Sequence, residues 1–403
     1  MSKKENKMLE NVKMPAIRYA EFADAWKESE FSTLVSRVST TGVGDADLPR
    51  VEYEDIVSGQ GQLNKDIYEK KSNKIGIRFE PSDILFGKLR PYLQNWLLPD
   101  FPGIAVGDWW VLRSQGSNHK FIYTLIQSSK YQTASNLSAG TKMPRSDWSV
   151  VSKTVFAVPS DVNEQVQIGS LFEHLDRLII LHQREHDKTV NIKKAMLEKM
   201  FPKDGADKPE IRFAGFTDAW ERRKLGKLTE ISSASRVHKN EWEESGVPFF
   251  RSSDVVSAFK GTENKKAFIS YSLYEELAQK SGKVQEGDVL ITGGGSIGIP
   301  YLVRDNSPLY FKDADLIWLK KSASLHGVFL YTYFVAPVFR TYVKSISHIG
   351  TIAHYTIEQV RDTPIILPKA DEQKKIGQFF TDLDRLISLH PRKSIFIFIA
   401  FTV

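Results

Sequence analysis

The chain contains two copies of one sequence frame, and this duplication limits its possible fold more than any other feature. The segment PAIRYAEFADAW at residues 15–26 returns as PEIRFAGFTDAW at residues 209–220, with eight of twelve positions identical. A second block, which begins Glu-Gln and continues to Leu-Asp-Arg-Leu-Ile-x-Leu-His, occupies residues 164–182 and returns 208 positions later. A period of about 200 residues indicates a duplicated domain and not a solenoid.

The regions between the conserved blocks diverge, which predicts two copies of one fold that carry different surfaces. Residues 106–112 and 314–319 are rich in aromatic and β-branched side chains and predict short strands. Helices are expected at residues 120–129 and 326–335. The sequence therefore predicts an α+β fold with two similar domains and an internal pseudo-twofold repeat.

The second block predicts a long helix. Apolar residues from Ile168 to Ile179 recur at three-and-four spacing, and after a polar stretch the pattern resumes at Ile192. Asp161 or Asn163 is suited to cap the start, and Pro202 ends the pattern. We expect one helix of about 38 residues. Helices of this length usually pair with another helix, and the repeat that begins near residue 371 is the obvious partner.

Composition narrows the function only slightly. The net charge of +6 is compatible with a polyanionic partner such as nucleic acid, but many unrelated proteins have a similar charge. The sequence has no cysteine, which excludes disulfides, thiolate nucleophiles and thiolate metal sites. No signal peptide or membrane-spanning apolar segment is apparent, so we expect a cytoplasmic protein with no membrane partner.

The two blocks, occurring twice and in order, resemble the specificity subunit of type I restriction-modification systems. That resemblance implies two target-recognition domains held apart by an antiparallel, coiled-coil-like pair of long helices, each domain reading one half of a split sequence in double-stranded DNA. It also implies docking of two adenine methyltransferase subunits and of restriction motor-nuclease subunits. No catalytic motif occurs in the chain, so we expect no enzyme activity, no metal and no cofactor of its own.

The resemblance and the repeat together predict the domain boundaries. In chain order they are an N-terminal tail at 1–14, a first target-recognition domain at 15–160, a first long helix with its linker at 161–208, a second target-recognition domain at 209–369, a truncated second helix at 370–390 and an apolar tail at 391–403.

Candidate DNA-binding residues lie in loops with basic, hydroxyl or aromatic side chains, since arginine and lysine contact phosphates and guanine, and hydroxyls contact bases. For each of them a surface or packing role is the alternative. The candidates are Lys88, Arg90, Tyr92, Thr141, Lys142 and Arg145 in the first half, and Arg251, Ser252, Ser296, Thr351, His354 and Tyr355 in the second.

Two motifs allow a different chemistry, but their contexts do not favour it. Gly293–Gly298 matches the dinucleotide-binding glycine pattern, yet Pro300 and a strand-like segment follow where that site needs a helix. His182-Gln-Arg-Glu-His186 matches a zinc-peptidase pattern, but its repeat keeps only one ligand, so a solvated helix face is the favoured interpretation.

The C-terminus departs from the repeat. Pro391 opposes a continuing helix by about 3 kcal/mol, so we expect the second helix to stop near His390. We expect this to leave the distal stripe of the first helix without its usual helical partner and the chain prone to self-association. An alternative function is then a protein-interaction scaffold that no longer supports DNA modification. The predicted subunit-docking residues are Leu175, Leu178, Ile192, Met196, Leu383 and Leu386.

Overall fold

The computed structural model describes residues 15–44, 48–68, 74–137, 142–203, 205–313, 315–347 and 354–389. The chain divides into two compact units, which we call the N-terminal unit, up to His182, and the C-terminal unit, from Gln183 onward. None of the helices within these ranges is both long enough and apolar enough to cross a membrane.

The N-terminal unit mixes short strands and helices. Its strands are β1 (Lys27–Glu30), β2 (Val35–Val38), β3 (Thr41–Val43), β4 (Arg50–Glu52), β5 (Ile56–Val57), β6 (Gln62–Leu63), β7 (Ile75–Phe79), β8 (Ile84–Gly87), β9 (Trp96–Leu97), β10 (Gly103–Val106), β11 (Trp109–Ser114) and β12 (Val155–Val158). Its helices are α1 (Phe31–Leu34), α2 (His119–Gln127), α3 (Ser129–Ser135), α4 (Trp148–Val151) and the first part of α5 (Val162–Lys199).

Two four-stranded sheets form most of this unit, in the orders β3-β7-β10-β4 and β2-β11-β8-β9. Strands β10 and β4 run parallel, whereas β11 pairs antiparallel with β2 and β8. An aromatic core fills one face of the second sheet, where the buried Phe31, Phe86 and Tyr131 rings contact one another. Burial of such rings supplies a large part of the apolar area that holds a unit of this size together.

The C-terminal unit repeats the mixed architecture. Its strands are β13 (Glu221–Lys224), β14 (Ile231–Ser232), β15 (Val247–Phe250), β16 (Ala267–Ile269), β17 (Val289–Thr292), β18 (Pro300–Leu302), β19 (Tyr310–Phe311), β20 (Leu316–Leu319) and β21 (Pro364–Leu367). Its helices are α6 (Ser252–Lys260), α7 (Tyr271–Ser281), α8 (Gly327–Val335), α9 (Pro337–Ser347), α10 (Ile357–Asp362) and α11 (Ala370–Leu389).

The sheets of the C-terminal unit have the orders β14-β20-β17-β18 and β16-β15-β19. A two-stranded sheet, β13-β21, corresponds to β1-β12 of the N-terminal unit, and both pair antiparallel. The α+β class and the duplicated frame are thereby confirmed. Helix α5 has the predicted length of 38 residues, and the Asp161 carboxylate accepts a hydrogen bond from the Asn163 amide at its start.

An ion pair links the two conserved blocks in each copy. The Arg18 guanidinium donates two hydrogen bonds of 2.6 and 2.7 Å to the Glu164 carboxylate, and Arg212 donates two of 2.7 Å to Glu372. Both glutamates are buried. Burial of a carboxylate costs free energy unless the group is paired and hydrogen-bonded. Each pair therefore fixes the start of a long helix against the segment at residues 15–18 or 209–212.

The glutamine that follows each glutamate holds a second helix in place. The Gln165 carbonyl oxygen accepts from the Asn118 amide at the start of α2, and its NH₂ group donates to the Pro159 carbonyl. In the second copy, the Gln373 carbonyl oxygen accepts from the His326 amide at the start of α8, and its NH₂ group donates to the Pro368 carbonyl. Because amide nitrogens at a helix start have no partner within the helix, this glutamine satisfies a donor that would otherwise be orphaned.

Gly169 of α5 and its equivalent in α11, Gly377, permit another helix to cross each long helix closely. A Cβ on Gly169 would lie 2.7 Å from the backbone nitrogen of Phe121, whereas one on Gly377 would lie 3.1 Å from the Val328 side chain. The first approach is blocked by backbone at less than 3 Å, while the second requires Val328 and the Phe329 backbone nitrogen, 3.3 Å away, to move by only a few tenths of an ångström. The conserved glycine is therefore a packing requirement, and it is more stringent in the N-terminal unit.

This difference predicts unequal effects of one substitution. Gly169→Ala should destabilise the chain, because overpacking of about 1–3 kcal/mol exceeds the gain in helix propensity of at most about 1 kcal/mol. Gly377→Ala, the matched control, should be close to neutral. Urea denaturation followed by tryptophan fluorescence measures both variants, and equal effects would contradict this account of the glycine.

In the distal part of α5, Met196 and Leu197 pack against α11, so the expectation of a bare stripe is wrong for these two residues, whereas Ile192 is 40% exposed. Leu197 is buried together with Phe380 and Leu383 of α11, and Met196 packs against the same cluster. The Lys193 ammonium forms an ion pair with the Asp384 carboxylate.

The two helices run antiparallel in this contact. Phe201, further along the chain than Lys193, lies 6.3 Å between ring centroids from Phe380, which precedes Asp384. In an antiparallel pair the end of one helix faces the beginning of the other. Residues 390–403, with the predicted break at Pro391 and the apolar tail, lie outside the described residues.

Equivalent side chains in the two copies differ in solvent exposure. Leu175 of α5 is 40% exposed, whereas Leu383, its equivalent in α11, is 8% exposed. Asp176 is the equivalent of Asp384, but no hydrogen bond or ion pair joins it to another described side chain, and burial raises the pKa of its carboxyl to about 6. Leu175 and Asp176 therefore lack the cover and the lysine partner that Leu383 and Asp384 have.

The raised pKa of Asp176 predicts a pH-dependent cost. The folded value lies above the value of about 3.9 expected in the unfolded chain, so the folded state binds the proton more tightly. The charged carboxylate therefore costs stability above pH 6, and the cost disappears as the pH falls toward 4. Asp176→Asn should raise the free energy of unfolding by about 2 kcal/mol at pH 7.5 and leave it unchanged at pH 4.

Asp384→Asn provides the control, since Lys193 pairs with that carboxylate. It should give no gain in stability at pH 7.5. A gain of the same size in both variants would show that the ion pair does not distinguish the two positions.

Candidate nucleic-acid interface

Two loops that the sequence singles out separately meet in the N-terminal unit. The segment after β8 pairs with the segment before α4: the Ser146 amide donates to the Lys88 carbonyl at 2.8 Å, and the Arg90 amide donates to the Pro144 carbonyl at 2.7 Å. The Lys88 amide in turn donates to the Asp108 carbonyl at 2.9 Å. We call this meeting of three loops the N-terminal junction, residues 88–92, 107–108 and 142–146.

The junction gathers cations around one carboxylate. Arg145 donates to both oxygens of Asp108 at 3.2 and 3.1 Å, and the Lys88 ammonium lies 3.8 Å from the same group. These contacts are longer than the 2.7–2.9 Å of a strong charge-assisted bond and are partly solvated, so a phosphate or a base could replace the carboxylate at low cost. The hydrogen bond to Asp108 raises the pKa of Arg145, which stays protonated.

The remaining candidates of the first half border this charge cluster. Lys142 is exposed, and Tyr92 has 58% of its surface accessible. Arg90 adopts the left-handed conformation, with φ of 48°, and this conformation turns the chain sharply before Pro91. The Arg90 backbone amide is held by its hydrogen bond to the Pro144 carbonyl. Thr141 lies outside the described residues.

The Tyr53 side chain connects the N-terminal junction to the core. Its hydroxyl donates to the Leu89 carbonyl, and its ring packs 5.4 Å from that of the buried Trp109. Burial, with a smaller contribution from Asp108, raises the pKa of the Tyr53 hydroxyl to about 12, so it remains a neutral donor. The loop that carries Lys88 and Arg90 is thus fixed to the core.

The C-terminal unit builds the same backbone junction with different side chains. The Gly293 amide donates to the Asp315 carbonyl at 2.8 Å, and the Tyr355 amide donates to the Gly293 carbonyl at 2.7 Å. Gly293 and Asp315 thereby take the places of Lys88 and Asp108. The Asp315 carboxylate pairs with Lys312 at 2.9 Å. We call this the C-terminal junction, residues 293–296, 312–315 and 354–355 where described.

The glycine-rich loop of this junction connects two strands. Strand β17 precedes Gly293, and β18, which pairs antiparallel with it, follows at Pro300. The structure confirms the predicted turn and strand after the glycines, and no helix starts at this loop to direct amides at a phosphate. Gly295 has a φ of 69°, and Ser296 is exposed beside it. His354 is also exposed and lies next to Gly294.

Three candidates of the second half are not available as expected. Tyr355 is 1% exposed, and its hydroxyl is hydrogen-bonded to that of Thr363, so it is a core residue and cannot meet DNA. Arg251 is tied to Asp254 by hydrogen bonds of 2.7 and 3.1 Å. The Ser252 hydroxyl donates to the Asp315 carbonyl. Thr351 lies outside the described residues.

The sequence analysis missed both aspartates that organise the junctions. Asp108 lies in the tight turn between β10 and β11, where Gly107 has a φ of 104°. The strand predicted over residues 106–112 is interrupted here, and a Gly-Asp pair between two apolar runs is itself a turn signal. The pairing of Asp108 with Arg145 spans 37 positions and leaves no sequence signal.

The predicted docking residues divide into two groups. Leu383 and Met196 pack in the helix contact of the C-terminal unit. The others, Leu175, Leu178, Ile192 and Leu386, are each at least 40% exposed. Within the zinc-peptidase pattern, the buried His186 has its Nδ1 atom 3.0 Å from the Asp187 carboxylate.

Comparison with known proteins agrees with this arrangement. Residues 217–396 match the family model described as the type I restriction modification DNA specificity domain. A putative type I restriction enzyme specificity subunit, S.HindORF215P of Haemophilus influenzae, is 28% identical over 166 residues, 40% of each chain. The MjaVIII specificity subunit of Methanocaldococcus jannaschii is 24% identical over 262 residues, 63% of this chain and 61% of that one.

The C-terminal part of the chain is thus similar to the type I specificity-domain family, and the N-terminal unit repeats the same sequence frame. The fold also resembles that of the S subunit of a type I restriction-modification system from M. genitalium, with a TM-score of 0.54, 15% identity and 94% coverage of both chains. The aligned segments span 40% and 61% of the two curated specificity subunits, less than two thirds of each.

Proposed function

We propose that this chain is a type I specificity subunit that reads a split DNA sequence, with one half bound at the N-terminal junction and the other at the C-terminal junction. The observation that carries the proposal is the repeated junction itself. Lys88 and Gly293 make equivalent backbone hydrogen bonds, while the side chains around them differ in charge and size. Two different surfaces on one backbone geometry are what reading two different half-sites requires.

The N-terminal junction has the chemistry of a DNA contact. Lys88 and Arg145 both pair with the Asp108 carboxylate, and Arg90 and Lys142 add two positive charges to the same loops. Cations that replace counterions at phosphates give affinity without sequence preference. Arg145, with a planar fork already directed at two oxygens, has the geometry that reads guanine in the major groove.

In this proposal the chain binds and does not catalyse. The methylated adenine has to leave the base stack, and a partner subunit performs that chemistry. Two methyltransferase subunits and the restriction subunits are the proposed partners, and they would hold the S-adenosylmethionine, ATP and Mg²⁺. The alternative, a protein-interaction scaffold, is motivated by the truncated second helix, and its truncation point at Pro391 lies outside the described residues.

Substitutions at the N-terminal junction test DNA binding. Lys88→Ala should weaken binding to every sequence and lower the slope of log affinity against log salt by about one. Arg145→Ala should relax one base position by about 1–3 kcal/mol. Lys153→Ala, an exposed lysine in the turn before β12, is the control and should change neither quantity. Fluorescence anisotropy over a salt series measures the affinities; wild-type behaviour of both junction variants would place the DNA elsewhere.

Exchange of one unit tests the split target. Replacing residues 27–158 with the first domain of another specificity subunit should change one half of the selected sequence and preserve the other. Sequencing of DNA retained from a random pool by the assembled complex measures this. A change in both halves would contradict independent reading by the two units.

A further inference from the structure

The glycine-rich loop of the C-terminal junction, residues 293–298, contains backbone donors without acceptors. The two ends of the loop are closed by hydrogen bonds from the Gly293 and Gly298 amides. Between them, the amides of residues 294–297 donate to no other described residue. Gly295 has a φ of 69°, and successive amides around a left-handed residue form a concavity that binds anions.

The space in front of these amides is open. Apart from its chain neighbours, a Cβ on Gly295 would have no described heavy atom within 4 Å, and one on Gly294 would meet only the His354 imidazole, at 3.9 Å. Ser296 is exposed, and its hydroxyl has no hydrogen-bond partner among the described residues. Glycines without side chains allow a phosphate to approach the backbone closely.

A positive charge lies against the end of the same loop. Arg340 of α9 donates through Nη1 to the Gly298 carbonyl at 2.7 Å. Its Nη2 atom is buried without an acceptor, and none of the described carboxylates pairs with it. Burial lowers the pKa of the guanidinium, which still carries its charge at neutral pH. A partly buried cation without an acid costs free energy, and an anion bound at the loop would offset that cost.

The N-terminal unit has no such cation at the equivalent position. The offset of 208 residues aligns Arg340 with Gln132, whose Nε2 atom donates to a carbonyl of α2. The N-terminal junction carries charge on its own loops, at Lys88 and Arg145, whereas Lys312 of the C-terminal junction is paired within it. The second unit therefore combines a loop of free amides with a cation from a neighbouring helix.

We propose that this loop binds one phosphate of the DNA backbone through the amides of residues 294–297 and the Ser296 hydroxyl, with the positive charge supplied by Arg340. Backbone amides that contact phosphates fix the register of a protein on the duplex and read no bases. A helix dipole is not required, because a phosphodiester carries one negative charge and Arg340 balances it. The inference rests on the proposed function and assigns the sequence-independent contact of the second half-site.

Substitution of Arg340 tests the charge. The probe is a fluorescent duplex that contains the target sequence selected from a random pool. Arg340→Gln, which matches Gln132 of the first unit, should weaken binding of the full chain and lower the slope of log affinity against log salt by about one. Arg340→Lys keeps the charge and should keep the wild-type slope. Urea denaturation checks that both variants are folded.

Gly295→Asp and Gly295→Asn form a matched pair on the exposed loop. Both side chains tolerate the left-handed conformation, and they have nearly the same shape. Gly295→Asp should bind the duplex about tenfold more weakly than Gly295→Asn, because its carboxylate would repel the phosphate. This comparison does not require any change at the partly buried Arg340.

Three results would overturn the inference. Equal affinities of Gly295→Asp and Gly295→Asn, or a wild-type salt slope in folded Arg340→Gln, would show that no phosphate lies on the loop. In either case a lower slope in Lys88→Ala would leave the proposed function intact, whereas a wild-type chain that does not bind the duplex would remove both. Saturable binding of inorganic phosphate that Arg340→Gln abolishes, without any change in the DNA slope, would make a free anion the occupant.

Discussion

The buried arginine–glutamate pair is the contact on which the rest of the structure depends. Arg18 with Glu164, and Arg212 with Glu372, connect a segment at the start of each unit to the first turn of its long helix. A carboxylate removed from water without its guanidinium would carry a penalty of several kcal/mol, so the pair tolerates little displacement. The adjacent glutamine and glycine then position the helices α2 and α8 at the same crossing. Both units are built outward from this frame.

The frame explains how side chains change while the geometry is kept. The junction loops are held by backbone hydrogen bonds, Lys88 to Asp108 and Gly293 to Asp315, which any side chain permits. Variation there costs the fold little, whereas variation at Glu164 or Gly169 would disrupt it. A protein that must read different sequences with one scaffold needs this separation between a constant frame and replaceable loops.

Much of the frame could be predicted from the sequence because it leaves periodic or repeated signals. The 38-residue helix follows from its apolar spacing and the fold class from the alternation of strands and helices. Contacts that join distant turns leave no such signal, which is why the role of Asp108 was missed. Tyr355 was misplaced because an aromatic residue in a loop has no periodicity that reveals burial. The cover of Met196 and Leu197 was missed because the α11 residues in the same cluster, Phe380 and Leu383, precede Pro391 in the chain, so a break at that proline does not remove them.

The central claim is that the two units read two halves of one DNA target. Long-read mapping of methylated adenines in cells that express this chain with its methyltransferase subunits tests that claim most directly. The account predicts methylation within a two-part sequence motif with a fixed spacer, and a change confined to one part when Arg145 is replaced. Absence of adenine methylation in such cells, or a single continuous motif altered throughout by that replacement, would contradict it.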